Sequence, residues 1–197
     1  MTGRDLLQGR SGGTWLAMNR TSGKIAVLLN ILQPNHEIVS SKRGRGFIVN
    51  DFVCGSDSCK QYLQRLSEEG DEYNGFQSIV LQIKDKAVDG AYYSNFAHDE
   101  PERVQTGVHG YGNSLNPKEP WPKVTYGRKR FEAVLSRHKS TKSKEQLIDD
   151  LFEIMMDRTF LPVDQQMMHQ GQGREIVWLR RLSSLCVEMP EAKYGSR

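Results

Sequence analysis

The sequence predicts a single α+β domain that spans residues 1–197. Strand-like and helix-like runs alternate in groups, in the order ββ-αα-ββ-β-αα-β. Strands and helices grouped in this way are typical of an α+β architecture. There is no internal repeat and no linker-like change in composition, so the sequence favours one domain.

The N-terminal elements are a hairpin and a strand of continuous apolar character. Strands are predicted at 14–19 and 24–32, with a turn that ends at Gly23. The apolar run at 25–29 predicts that the second strand is buried on both faces.

Two helices follow the hairpin. Apolar residues at helical spacing predict a helix that begins at Phe47 and stops at Gly55. Ser56 or Asp57 is expected to cap the next helix. The apolar stripe of that helix has i, i+3, i+4, i+7 spacing and consists of Cys59, Tyr62, Leu63 and Leu66.

The middle of the chain predicts a second hairpin and a third strand. Residues 77–83 form a strand, and Asp89-Gly90 introduces its partner at 91–95. An acidic loop is expected at 96–106, and a glycine-rich strand at 107–112.

The C-terminal part predicts two helices and a last strand. Residues 120–122 start a helix that runs towards His138, and Ser143 starts the next with a capping box. A polar, mobile segment is expected at 157–174, followed by a strand at 184–188.

Composition excludes several classes of protein. The net charge of +3 is too small to predict nucleic-acid binding, and the basic stretch at 123–144 is interpreted as a solvated helix face. Three cysteines without framework spacing predict free, structural thiols in a reducing compartment. No run approaches the roughly 18 apolar residues of a membrane span. We therefore expect an intracellular protein without a transmembrane segment, and peripheral membrane association stays open.

Metal and phosphate motifs are weak. The five histidines are scattered and form no pair at zinc spacing. Met167, Met168 and His169 are interpreted as part of a polar loop in preference to soft ligands of haem iron. Gly44-Arg45-Gly46 lacks the third glycine of a dinucleotide fingerprint.

Two glycine blocks predict the rim of a site. Gly12 and Gly13 precede Trp15, and Gly44-Arg45-Gly46 precedes the first helix. Paired glycines beside a strand indicate positive φ or a close approach of another group.

Polar residues at the ends of predicted elements are the second site signal. Asn30 ends the apolar strand, Asn113 follows Gly-Tyr-Gly, and Arg197 follows Tyr-Gly-Ser. Buried amide and guanidinium groups need partners, which favours a shared polar site. Capping of helices or turns is the alternative for the two asparagines.

Several motifs in order resemble the transport and Golgi organization protein 2 family, also called the NRDE family. They run through nearly the whole chain and are Gly12-Gly13-Thr14-Trp15-Leu16, Asn30 with Leu32-Gln33-Pro34, Arg43-Gly44-Arg45-Gly46, Tyr73-Asn74-Gly75-Phe76, Gly110-Tyr111-Gly112-Asn113-Ser114-Leu115, Pro120-Trp121 and Tyr194-Gly195-Ser196-Arg197.

The resemblance implies an αββα sandwich like that of N-terminal-nucleophile hydrolases. It implies a cytoplasmic protein with mitochondrial and Golgi association that takes part in haem trafficking, Golgi organisation and lipid homeostasis. Haem is then cargo and no resident cofactor is expected; the ligand is haem or another amphipathic small molecule, and nucleic acid is not a partner.

The chain departs from the family pattern at both termini. It lacks the cysteine after the initiator methionine, the Asn-Arg-Asp-Glu motif and the strands that follow the Tyr-Gly-Ser-Arg motif, so an incomplete sandwich is expected. In related acylases an asparagine pair and an arginine support the N-terminal nucleophile, and Asn30, Asn113 and Arg197 match them. Without the nucleophile, the expectation is a protein that is not an enzyme.

Two alternatives stay open: an N-terminal-nucleophile amide hydrolase whose nucleophile is missing from this chain, and a splice form or gene-model fragment without a function. Under the binding interpretation, Trp15 supplies apolar contact and Arg45 faces a ligand carboxylate. The candidate ligand-binding residues are Gly12, Gly13, Trp15, Asn30, Gly44, Arg45, Gly46, Asn74, Asn113 and Arg197.

Overall fold

The computed structural model describes Leu6 and residues 11–96, 100–139, 143–192 and 194–195. Its contacts divide the chain into two compact units, residues 1–32 with 37–106 and residues 33–36 with 107–197. Helices and antiparallel strands are both present, which confirms the predicted α+β class.

The first unit contains a five-stranded antiparallel sheet whose spatial order follows the sequence. Neighbouring strands are therefore connected by hairpins or by the two helices between the second and third strands. The strands are β1 (Leu16–Asn19), β2 (Lys24–Asn30), β3 (Phe76–Lys84), β4 (Ala87–Ser94) and β5 (Glu102–Arg103).

Two helices cover one face of this sheet. Helix α1 (Phe47–Cys54) packs on β1 and β2, and helix α2 (Cys59–Glu68) packs on β4 and β3, with a 3-10 turn at Gly70–Glu72 after it. The predicted stripe of α2 is buried, and it joins α1 and the sheet in one apolar core.

Strand β2 is buried on one face only, so the prediction of burial on both faces is wrong. Lys24, Ala26 and Leu28 are buried, whereas the alternate residues Ile25 and Val27 keep part of their surface exposed. Alternate side chains of a strand point to opposite faces, and only one face carries α1 and α2. An apolar run therefore does not by itself establish two covered faces.

The buried ammonium group of Lys24 ties β2 to the C-terminal end of α1. Its Nζ donates to the carbonyls of Gly55 at 2.8 Å and Asp57 at 2.7 Å, and lies 4.7 Å from the centre of the Phe52 ring. Carbonyls at the end of a helix have no partner within the helix and carry partial negative charge. The lysine satisfies acceptors just beyond that end.

Local boundaries in the first unit differ from prediction at three places. The second hairpin turns at Asp85-Lys86, both with positive φ, and not at Asp89-Gly90, which lies within β4. Helix α2 is capped by Ser58, whose hydroxyl accepts the Gln61 N–H, and not by Ser56 or Asp57. The predicted loop at 96–106 contains the short strand β5.

The second unit is mainly helical. Its long helix begins at Pro122 as predicted, and the Ser143 hydroxyl accepts the Gln146 N–H at the start of the next helix, also as predicted. Two 3-10 turns lie at Asn35–Glu37, which straddles the boundary between the units, and Pro190–Ala192. The regular elements are α3 (Pro122–His138), α4 (Lys144–Met155), α5 (Gln165–Gln170), α6 (Ile176–Leu182), β6 (Glu188–Met189) and β7 (Tyr194–Gly195).

Three predictions for this unit are wrong. Residues 107–112 form no strand, because their glycines lie against α3 and not in a ladder. The segment 157–174 contains α5, whose Met167 and Gln170 are buried. The predicted strand at 184–188 is reduced to Glu188–Met189, because bends precede it and the Ser184 hydroxyl bonds the nearby Cys186 carbonyl. None of the described helices is long and apolar enough to cross a bilayer.

Candidate functional site

The two glycine blocks of the sequence meet in the first unit. The Thr14 N–H donates to the Gly46 carbonyl at 2.9 Å. A Cβ at Gly46 would lie 3.0 Å from the Gly13 Cα, so the two backbones pass too closely for a side chain between them. Gly12 has a φ of +94°, a conformation that other residues rarely adopt. We call this contact of residues 12–14 with residues 44–46 the glycine junction.

The two glycines of the Gly44-Arg45-Gly46 triplet differ in their surroundings. Gly46 is fixed by the close approach of Gly13, whereas a Cβ at Gly44 would meet nothing within 4 Å. Gly44 is exposed, and it gives the junction an open side.

Arg45 and Asn74 both hold the loop that precedes β3. The Arg45 guanidinium donates to the Gly75 carbonyl at 2.7 Å, and the Ile31 N–H, next to Asn30, donates to the same carbonyl at 3.0 Å. The Asn74 amide donates to the Val39 carbonyl at 2.8 Å and accepts the Val39 N–H at 3.0 Å. These contacts give both side chains a structural role.

Large apolar side chains stand exposed beside the glycine junction. Trp15 is 62% exposed and Phe47, the first residue of α1, is 46% exposed. A Cβ at Gly12 would be 3.9 Å from the Phe47 ring, so this ring borders the junction. Leu16 and Met18 are also exposed, but they pair with Val27 and Ile25 on the face of the sheet that α1 and α2 leave open, opposite to Ala17. We call the two side chains Trp15 and Phe47 the apolar rim.

The three predicted polar site residues do not all fall in this unit. Asn30 is the last residue of β2, opposite Phe76. Asn113 belongs to the second unit, where its backbone carbonyl accepts the Gln170 side-chain amide at 2.9 Å. Arg197 lies outside the described residues.

Two asparagines that the sequence patterns do not single out organise the site. Asn50 donates to the Gly12 carbonyl at 2.7 Å and so fixes the first glycine block to α1. Asn95 is buried, accepts the Phe76 N–H at 2.8 Å and donates to the Gly70 carbonyl at 2.9 Å. The signal for Asn50 was present: it is the amide within the apolar run of α1. Asn95 follows the last residue of β4 and is not a polar residue within an apolar run, so no such signal marks it.

The cysteines are free, and two of the three are buried. Burial in α2 raises the pKa of the Cys59 thiol to about 11, with the nearby Asp89 as the next cause. A thiol with a raised pKa stays protonated at neutral pH, and the protonated form is a poor nucleophile. Among the residues that the structure describes, no three His, Cys, Asp or Glu side chains come together as a metal site requires.

Fold and site together define an α+β protein with a helix-backed antiparallel sheet and a glycine junction at the start of its first strand. A family model described as "Transport and Golgi organisation 2" matches residues 1–197. The chain belongs to this family.

Similar proteins from animals align with all or nearly all of this chain. A Transport and Golgi organization 2 homolog of Mus musculus is 31% identical over 198 residues, covering 100% of this chain and 69% of the relative. A homolog of Bos taurus is 33% identical over 201 residues with the same coverage. The Drosophila melanogaster protein of that name is 34% identical over 207 residues, 99% of this chain and 69% of its own length.

Proposed function

We propose that this chain is a non-enzymatic binding protein for an amphipathic cargo, with haem as the first candidate, acting in intracellular transport and Golgi organisation. Membership of the family and the names of the relatives support the transport and Golgi part of the proposal. We also propose a cytoplasmic location with Golgi and mitochondrial association.

The observation that carries the proposal is the apolar rim beside the glycine junction. An indole that is 62% exposed leaves apolar area in water, and burying such area against a ligand is favourable. The glycine junction offers backbone without side chains next to this surface, which allows a flat ligand to approach closely. Trp15 and Phe47 would contact the apolar body of the cargo.

Arg45 brings a positive charge into the glycine triplet that forms the junction. It lies between Gly44, which is open, and Gly46, which forms the junction. Guanidinium groups bind carboxylates strongly, and a haem carries two propionate carboxylates. The contact with the Gly75 carbonyl fixes the position of the Arg45 side chain.

The state of the cysteines favours binding over catalysis. The pKa of the Cys59 thiol is raised, so this thiol stays protonated, and Cys186 is buried and not exposed to a substrate. Cys54 is exposed at the end of α1, away from the glycine block.

We further propose that the sheet of the first unit is one layer of an αββα sandwich. Helices α1 and α2 cover one face, while Ile83 and Val88 on the other face are about half exposed or more. Ile79 and Tyr92 on the same face are buried, so only its end beside the turn between β3 and β4 offers apolar surface to a second sheet layer.

Haem titration followed by the Soret band tests the cargo proposal. We expect a saturable shift that weakens at least tenfold in Trp15→Ala with Arg45→Ala, because both the apolar contact and the charge are removed. Val88→Ala with Arg103→Ala, an exposed apolar and arginine pair on the same sheet, is the matched control and should bind as the parent does. Absence of a saturable shift, or equal binding by the double variant, would refute the assignment. Circular dichroism checks that each variant is folded.

A further inference from the structure

The second unit contains a pocket of about 360 Å³ between the loop at 107–120 and the first turns of α3. It is lined by residues from His109 to Arg128, all of them in this unit. A pocket of this size accommodates a small molecule.

Gly110, which lines the pocket, and Gly112, which does not, both lie directly on α3. A Cβ at Gly110 would be 2.8 Å from a methyl of Val124, and a Cβ at Gly112 would be 2.6 Å from its other methyl. No side chain fits at either position unless the backbone moves. The loop therefore lies against the helix, with Tyr111 between the two contacts and part of the pocket lining.

Buried groups behind the pocket keep its shape. Trp121 is fully buried, and its indole N–H donates to the Gln170 side-chain carbonyl at 2.8 Å. The Gln170 amide donates in turn to the Asn113 carbonyl at 2.9 Å. This chain of bonds joins the middle of the pocket loop, at Asn113, and the residue after its end, Trp121, to α5. A preformed site loses less conformational entropy when a ligand binds.

The walls are flat and partly apolar. The rings of His109 and Tyr111 lie at 27° to each other with their centres 6.3 Å apart. Pro117 and Pro120 add two rigid apolar rings. Aromatic and proline rings of this kind suit the face of a planar ligand.

The charge of the pocket is positive. Lys118 and Arg128 both line it, and no aspartate or glutamate is among the lining residues. Glu132 approaches the Arg128 guanidinium to 3.9 Å from the next turn of α3, with both side chains about half exposed. A pair this exposed is weak, so a ligand anion competes with it.

We propose that this pocket binds a small aromatic anion, that is, a planar ring system with a carboxylate or phosphate group. The ring lies against His109, Tyr111 and the two prolines, and the anionic group pairs with Lys118 and Arg128. The site lies in the second unit, so it does not depend on haem binding at the glycine junction.

Titration with 2-naphthyl phosphate and 2-naphthoate, followed by the amide signals of a ¹⁵N-labelled chain, tests the proposal. We expect saturable shifts at the Gly110 and Gly112 amides from at least one of the two anions, and the tighter anion identifies the preferred head group. Neutral 2-naphthol and inorganic phosphate should each bind at least about tenfold more weakly, because naphthol lacks the anionic group and phosphate lacks the aromatic ring.

Three variants locate the site. Lys118→Ala with Arg128→Ala should weaken binding at least about tenfold, and Glu132→Gln should tighten it about twofold by removing the competing carboxylate. Lys129→Ala is the matched control, an exposed lysine of the same helix that does not line the pocket. Equal loss in the control, unchanged binding in the double variant, or shifts confined to other residues would overturn the proposal. All of these side chains are exposed, so the variants are expected to fold.

Discussion

Lys123 is a buried lysine without a carboxylate partner among its described contacts. Its Nζ donates to the Leu182 carbonyl at the end of α6 at 2.7 Å and lies 5.5 Å from the centre of the Trp121 ring. Burial lowers the pKa of this ammonium group from 10.5 to about 8. The residue thus links α3 to α6 and loses hydration of its charge on folding.

This lysine makes the stability of the protein depend on pH in the alkaline range. Between pH 8 and 10.5 the unfolded chain holds a proton that the folded chain has released, so the Lys123 contribution to unfolding free energy rises with pH. Lys123→Met removes that contribution. In urea denaturation at pH 7.5 and 9.5, the parent should gain stability at pH 9.5 relative to the variant.

Lys129→Met, at an exposed position of the same helix, should keep the pH dependence of the parent. Equal pH profiles for the parent and Lys123→Met would contradict a lowered pKa at this site.

At the scale of elements, apolar spacing predicted the helices of the first unit well. Helix α1 begins at Phe47 and its last residue precedes Gly55, as expected, because a glycine there ends an apolar helical run. The turn between β3 and β4 was not predicted. Asp85 and Lys86 adopt φ values of +51° and +64°. The sequence Asp-Lys indicates such a turn less strongly than the nearby Asp89-Gly90 does.

This turn offers a stabilising substitution. A two-residue hairpin with positive φ at both positions favours Asp-Gly, so Lys86→Gly relieves the strain of a side chain in the left-handed region. We expect the free energy of unfolding, measured by thermal or urea denaturation, to rise by about 0.5–1 kcal/mol.

Lys84→Gly, within β3, is the comparison. It should lower the free energy of unfolding by about 0.5–1 kcal/mol. A glycine in a strand loses more conformational entropy on folding, and no residue with positive φ is replaced there. A loss of stability in Lys86→Gly would show that the turn is not strained.

The glycine-rich segment at 107–112 shows why the second unit was harder to predict. Its glycines are needed for contact with Val124, a residue more than ten positions away in the chain. A loop packed on a helix and a strand edge both show closely spaced glycines, so the sequence alone did not distinguish the two structures. Helix α5 was missed for a related reason: six residues are too few for a clear helical period.

At the scale of the whole molecule, the α+β class and the family were predictable from the sequence, and the candidate site was predictable in part. The meeting of Gly13 with Gly46 follows from motifs that were visible in the sequence. The roles of Asn50 and Asn95 depend on distant backbone carbonyls, which no local pattern reports. One domain was predicted, whereas the contacts group the chain into two units.

The two units have separate buried side chains, and their stability can be compared. Leu63 is buried in the first unit and Leu179 in the second. Leu63→Ala and Leu179→Ala should each lower stability by about 2–5 kcal/mol. We expect hydrogen exchange to lose protection mainly in the unit that carries the substitution.

Leu16→Ala, at an exposed position of β1, is the control and should change protection little. Uniform loss of protection across both units in either core variant would instead indicate one cooperative domain.

The unequal surroundings of Gly44 and Gly46 have a consequence for how this sequence can diverge. A side chain at Gly46 would meet the Gly13 backbone, so a substitution there needs a shift of a few tenths of an ångström near Gly13. A side chain at Gly44 would meet no neighbour within 4 Å, so the fold sets no steric limit at that position. We therefore expect natural variation to be freer at Gly44 than at Gly46.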